Sequence, residues 1–270
     1  MERKLIQLPE SFLNKPIAHR GLHDCGELMG IGSGPENSRE AIMHAIKSGF
    51  GVEIDVRFSK DSIPVVVHDQ NLLRLCQVDI NVSERNYFDL SKAHLKNREH
   101  LPKLDDILRL IKGRVPLLIE IKSEVEHRKE ELIATLIRDH VKDYFGPLAL
   151  MSFDWGVIKA LESLNLRIPK GLVSQSFDKI KGVFTSESHP LEIGENSLIK
   201  NGVSFISHKC QNLSKDLYRR NVRANRKVLT WTVCDKEMEI EVRNKCDNIT
   251  FEGFLPKNNK ERKKIEQKSN

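Results

Sequence analysis

The chain has 270 residues, with 44 Lys and Arg against 38 Asp and Glu, for a formal charge of +6. Its 39% apolar, 30% charged and 6% aromatic content is that of an ordinary globular protein, which excludes a collagen, a disordered acidic chain or a membrane bundle. Most of the basic excess sits in residues 257–270, where six basic side chains accompany two acidic ones, so residues 1–256 are close to neutral.

Short apolar, β-rich runs alternate with helical patterns along the chain. Strands are predicted at 17–20, 51–58, 64–68, 116–122, 147–152, 168–173, 203–207 and 227–233. Helices are predicted at 38–48, 103–112, 126–142, 154–163, 211–224 and 235–244. Ser38 and Asp154 are suited to cap two of those helices. Eight strands alternating with helices over about 250 residues predict an α/β fold, a single (β/α)8 TIM barrel over residues 1–256. No GxGxxG follows the first strand, which argues against a doubly wound sheet. Residues 69–102 break the alternation, and are read as a small insertion after the third strand, covering one end of the barrel. Residues 257–270 are read as a basic, disordered tail.

Cys25, Cys76, Cys210, Cys234 and Cys246 are odd in number, widely spaced and without a CxxC pair. They read as reduced thiols of a cytoplasmic protein rather than as a disulfide framework or a zinc ribbon. No run of 18 apolar residues offers a transmembrane segment. The apolar stretch near the start is broken by Gln7 and Pro9, so it is no signal-peptide core. Nucleic acid is not expected as a partner, because three Tyr and two Trp cannot interleave a basic face. The oligomeric state is left open.

In such a barrel the functional groups lie at the C-terminal ends of the strands. Polar residues gather there: His19-Arg20-Gly21 after the first strand, Glu53 and Asp55 in the second, His68-Asp69 after the third, Glu120 and Lys122 in the fourth, and Trp231 near the end of the eighth. Strand alternation puts Glu53, Asp55 and Arg57 on one face, and Val52, Ile54, Val56 and Phe58 on the other. The apolar face packs under the helices, so the carboxylates point inward. Buried carboxylates are costly unless they are paired or bind a cation, and an all-oxygen set suits Mg2+ or Ca2+ better than zinc. His19 and His23 have HxxxH spacing, but Gly21 between them argues against a helical zinc pair.

In order along the chain, HRG at 19–21, PENS at 35–38, GVEIDVRFSKDSIPVVVHD at 51–69, LPKLDDIL at 101–108, LLIEIKS at 117–123, MSFD at 151–154 and LTWTV at 229–233 resemble the glycerophosphodiester phosphodiesterase family. The resemblance covers about 16–256. It implies metal-dependent hydrolysis of a small glycerophosphodiester to sn-glycerol 3-phosphate and an alcohol. It also implies a divalent cation, Mg2+ or Ca2+, held by Glu53, Asp55 and Glu120. His19 and His68 are then the acid/base pair, Arg20 and Lys122 face the phosphate, and Trp231 walls the glycerol pocket. Glu36 and Asn37 are expected beside the metal, as supports or as a further ligand. A related barrel phospholipase acting on lysophospholipids, with or without a cyclic phosphate, is the alternative, and a non-catalytic phosphate-ester-binding barrel is the third reading. The chain departs from the family pattern twice. Thirteen residues separate Gly21 from Pro35, and the last strand reads CDNITFEGFLP at 246–256 rather than ending in an ITD-P pattern.

Overall fold

The computed structural model describes residues 5–23, 34–123, 130–175 and 193–256. Most of the long first loop, at 24–33, and the basic segment 257–270 lie outside the described residues, as do residues 126–129 of the helix predicted at 126–142.

Eight parallel strands close into a ring. They are β1 (Ile17–Ala18), β2 (Gly51–Phe58), β4 (Leu117–Ile121), β5 (Leu148–Ser152), β6 (Lys170–Ser174), β7 (Val203–Lys209), β8 (Lys227–Val233) and β9 (Asn248–Phe251). Closure comes from the short β1, which pairs with β2 through Ile17 and Gly51 and with β9 through Ile17 and Thr250. Helices Arg39–Lys47, Leu104–Ile111, Glu130–Val141, Trp155–Ser163, Lys215–Arg223 and Lys236–Val242 fall within the predicted segments, and Glu195–Lys200 is an addition. Ser38 and Asp154 do cap their helices, Ser38 accepting from the Ala41 amide and Asp154 from the Gly156 and Val157 amides.

One predicted barrel strand is not in the ring. Residues Pro64–Val66 form β3, which pairs antiparallel with β2 through Val56–Val66 and Phe58–Pro64. Only residues 59–63 separate the two strands, and a parallel partner needs a crossover of about a dozen residues or more. The turn is closed by the Ser59 amide donating to Ile63 O at 3.0 Å and by Ser59 Oγ donating to Asp61 at 2.6 Å. β2 pairs directly with β4 instead, and β9 completes the ring between β8 and β1, so β8, which carries Trp231, is the seventh ring strand.

The alternation of β2 divides its side chains as expected. Val52, Ile54, Val56 and Phe58 are fully buried with Ile107, Ile111 and Ile119 in the layer between strands and helices. A side chain of this kind contributes about 1.5–3 kcal/mol on burial. Inside the ring, Leu118, Ala149, Met151, Val173, Phe205 and Leu229 fill the lower barrel, together with Phe12 from the helix Ser11–Asn14. Gly171 on β6 is required there, because a Cβ at this position would lie 2.1 Å from the Phe205 ring. Above this apolar floor the interior turns polar.

The insertion has its own small core of Val65, Leu72, Leu75, Val82, Leu90, Leu95 and Leu101. Between irregular stretches it forms two short helices, Leu73–Cys76 and Tyr87–Leu90, and a 3-10 turn at Val82–Glu84.

Candidate active site

The register of β2 against β4 places Asp55 directly opposite Glu120, with Glu53 one inward position lower. All three carboxylates are buried, and one oxygen of each lies within 4.8 Å of the others. Glu53 accepts from the Arg20 amide at 2.9 Å through Oε2, while its buried Oε1 has no hydrogen-bond partner. Burial, followed by the charges of Asp55 and Glu120, raises Glu53 well above the ordinary carboxylate range. Burial also raises Glu120, against the pull of Lys122. Asp55 behaves in the opposite way. Burial would raise it, but Lys122 and Arg20 together hold it far below its usual value. An orphaned buried oxygen in an all-oxygen set of three crowded carboxylates fits a hard divalent cation.

Two cations brace this cluster. Lys122 Nζ lies 3.0 Å from Asp55 Oδ1 and also donates to Glu120. Arg20 Nε lies 3.2 Å from Asp55 Oδ2, and Arg20 Nη1 donates to Glu36 at 2.7 Å. Asn37 completes the cradle, donating to Asp55 Oδ2 at 3.0 Å and accepting from the Asp55 amide at 3.2 Å. Arg20 and Asn37 both adopt left-handed backbone, at φ 55° and 59°, and the Asn37 amide donates to Arg20 O at 2.8 Å. A non-glycine residue held there stores strain, which surrounding contacts must offset and which concentrates at functional sites. Gly21 follows at φ 84°, where a Cβ would meet the Ala41 backbone at 2.9 Å. The sequence HRG thus folds as a tight turn pressed onto the helix Arg39–Lys47.

Each candidate acid/base histidine is tied through Nδ1 to a carboxylate. His19 Nδ1 lies 2.7 Å from Glu252 Oε2, and His68 Nδ1 lies 2.8 Å from Asp69 Oδ1. Burial lowers both imidazoles from their ordinary value, opposed at His19 by the Glu252 hydrogen bond and at His68 by the Asp55 charge. Glu252 is held well below the ordinary range by its hydrogen bond with His19, and then by His23. Asp69 would be raised by burial, but Arg74 and His68 bring it down to about 2. Arg74, from the first helix of the insertion, joins two parts of the site. Its Nε donates to Asp69 at 2.6 Å, and Nη1 and Nη2 each donate to Glu36 at 2.7 Å.

These groups surround one cavity of about 430 Å³, lined by His19, Arg20, Glu36, Glu53, His68, Glu120, Lys122 and, on its apolar side, Phe153 and Trp231. The two rings meet edge to face at 5.6 Å, and the Trp231 indole N–H donates to Ser207 O at 3.0 Å. All ten residues singled out from the sequence therefore gather at one mouth of the barrel. Glu252 and Arg74 were not anticipated. Glu252 directly follows β9, the one ring strand absent from the predicted set, and Arg74 lies in a segment read as irregular.

The glycerophosphoryl diester phosphodiesterase family model matches residues 19–251. The chain belongs to that family. Among curated relatives, a human lysophospholipase D is 34% identical over 119 residues, which are 42% of this chain and 33% of that protein. A glycerophosphodiester phosphodiesterase of Bacillus altitudinis is 29% identical over 158 residues, or 51% of this chain and 61% of its own. The matches thus span less than two thirds of these relatives. Among solved structures, an Oleispira antarctica phosphodiesterase in complex with the product sn-glycerol-3-phosphate superposes with a TM-score of 0.75 at 22% identity, covering 95% of this chain and 98% of the other. A glycerophosphodiester phosphodiesterase from Parabacteroides distasonis gives 0.71 at 23% identity, covering 95% and 99%. At such identities the likeness is one of fold. The closed barrel of this chain is of the same fold as these neighbours. No helix among the described residues is long and apolar enough to cross a membrane.

Proposed function

We propose that this chain hydrolyses glycerophosphodiesters to sn-glycerol 3-phosphate and an alcohol. The observation that carries the reading is the buried triad of Glu53, Asp55 and Glu120, with two carboxylate-held histidines on the same cavity. Glu53, Asp55 and Glu120 would hold Mg2+ or Ca2+, with Asn37 and Glu36 as supports. When bound, the ion neutralises phosphoryl oxygens and favours attack on an anionic diester.

The chain's own residues supply the rest. Arg20 and Lys122 remain charged, braced by Glu36, Asp55 and Glu120, and present fixed positive charge to the phosphate. Their carboxylate partners hold them in place before substrate arrives, so little reorganisation is needed. Glu252 and Asp69 occupy Nδ1 of His19 and His68, which leaves Nε2 of each ring for proton transfer. One ring takes a proton from the nucleophile, and the other gives one to the departing alkoxide. Phe153 and Trp231 form an apolar wall suited to the glycerol carbons. The domain reading is part of the same proposal: one barrel over 1–256, the insertion at 69–102 bracing the site through Arg74, and a basic tail at 257–270. So is a cytoplasmic location, supported by the cysteine spacing.

The test is release of glycerol phosphate from glycerophosphocholine and glycerophosphoethanolamine, with and without EDTA, beside a lysophospholipid arm prompted by the human relative. Turnover of the small diesters is expected, lost with EDTA and restored by Mg2+ or Ca2+. Replacing Glu53 and Asp55 together with Ala should remove both activity and bound metal. Metal-independent turnover, or the same metal content in the double variant, would count against the reading.

A further inference from the structure

Residues bordering the two departures from the family pattern meet in space. His23 stands two positions after Gly21, Glu252 directly follows β9, and both converge on His19. Glu252 Oε2 lies 2.7 Å from His19 Nδ1 and 3.7 Å from His23 Nε2. One carboxylate oxygen therefore faces two imidazole nitrogens, and the donor atoms of the three residues lie within 4.8 Å of one another. The longer distance exceeds a hydrogen bond. It approaches the separation of about 3.3–3.4 Å between neighbouring ligands on a tetrahedral ion with bonds of about 2.0–2.1 Å. The shorter distance needs to open by about 0.6 Å to reach the same value. Glu252 can supply that movement, because its side chain is 33% exposed, whereas the His19 and His23 rings are 15% and 7% exposed and fixed by packing. All three residues line the cavity through which an ion would enter.

We propose that His19, His23 and Glu252 form a second cation site, separate from the carboxylate triad, for a borderline transition ion such as Zn2+, and that its occupation stops turnover. The donor chemistry separates the two sites. Three carboxylates favour a hard ion held by oxygen, while two imidazoles and one carboxylate are a set that zinc takes readily. The ion would take the Nδ1 lone pair of His19, which forces the ring proton onto Nε2. His19 can then no longer accept a proton there, and Glu252 no longer orients the ring. HxxxH spacing that is unsuited to a helix is thus brought together by a glycine turn and a distant strand end. The inhibitory consequence rests on the catalytic reading of His19, whereas binding of the ion does not.

The experiment titrates Zn2+ into the full chain saturated with Mg2+, following heat, turnover and the ring nitrogen shifts of His19 and His23. One equivalent should bind, shift both rings and inhibit without competing with Mg2+. His23→Gln should retain Mg2+-dependent turnover and weaken Zn2+ binding at least about tenfold, since even outer partners of a metal are worth that much. Zn2+ that merely competes with Mg2+, or binds His23→Gln with unchanged affinity, belongs at the carboxylates and overturns the proposal. If His23→Gln does not fold, the unaltered chain decides, because ring signals indifferent to Zn2+ overturn it equally. Shifted rings in a chain that turns over no diester would leave the site standing and count against the catalytic reading instead.

Discussion

A histidine moves protons only through the ring nitrogen that its surroundings leave available, so the partner on the other nitrogen governs the chemistry. At His19 that partner is Glu252, 233 positions away in sequence. Burial pulls the imidazole below its ordinary value, and the Glu252 hydrogen bond opposes the pull. Replacing Glu252 with Gln removes the opposing contribution, so the folded-state value of His19 falls further. The limb of the kcat/KM pH profile that His19 governs should then move to lower pH. The loss of a fixed ring orientation should reduce kcat by about 10–100-fold, with KM nearly unchanged. Glu252→Asp should recover part of the loss. A Gln variant with an unmoved limb and a loss confined to KM would make Glu252 a substrate contact rather than a positioning residue. The carboxylates of the triad were legible from sequence because strand alternation separates ExD from its apolar neighbours. Glu252 was not, since a contact between the first and last strands leaves no local period to read.

At the scale of elements, the insertion is coupled to the chemistry through one guanidinium. Arg74 closes a path from His68 through Asp69 to Glu36 and Arg20. It lies on the helix Leu73–Cys76 and is half exposed, so its removal leaves the insertion core of Leu72, Leu75 and Leu90 untouched. Arg74→Ala should therefore lower turnover about tenfold while shifting the melting temperature by no more than a few degrees. Arg74→Lys should recover little, because one ammonium cannot replace a planar fork that serves two carboxylates. Melting well below that of the unaltered chain would instead make Arg74 a structural clamp. Element types here were mostly readable, as the helices show. The exception is β3, whose apolar PVVV run has the composition of a barrel strand. Composition reports burial, and β3 is buried against the insertion rather than in the ring. The five-residue connection, not the strand's own residues, carried the information.

For the whole molecule, the weakest part of the ring is its seam, since β1 contributes only Ile17 and Ala18 to two neighbours. Asn248, at the start of β9, reinforces that seam from below. Its side-chain amide donates to Phe12 O and to Lys15 O, each at 2.6 Å, and so ties the helix that plugs the barrel floor to the strand that closes it. Phe12 and Asn248 are both fully buried, so the Phe12 carbonyl cannot turn to water in compensation, whereas the bond to Lys15 O is only part-buried. Asn248→Leu keeps the branched side-chain shape but leaves the buried Phe12 carbonyl without its donor, at about 1–3 kcal/mol, while the part-buried Lys15 carbonyl can find water. We expect chemical denaturation to register a loss of about 1–3 kcal/mol, and the melting temperature to fall accordingly. The active-site mouth lies at the opposite end of the strands, so the proposed diester turnover should be retained at low temperature. A loss below about 1 kcal/mol would mean that the seam is held by strand pairing alone. Loss of turnover without loss of stability would mean that the floor and the mouth are coupled through the apolar layers of Leu118, Met151 and Phe205 that separate them.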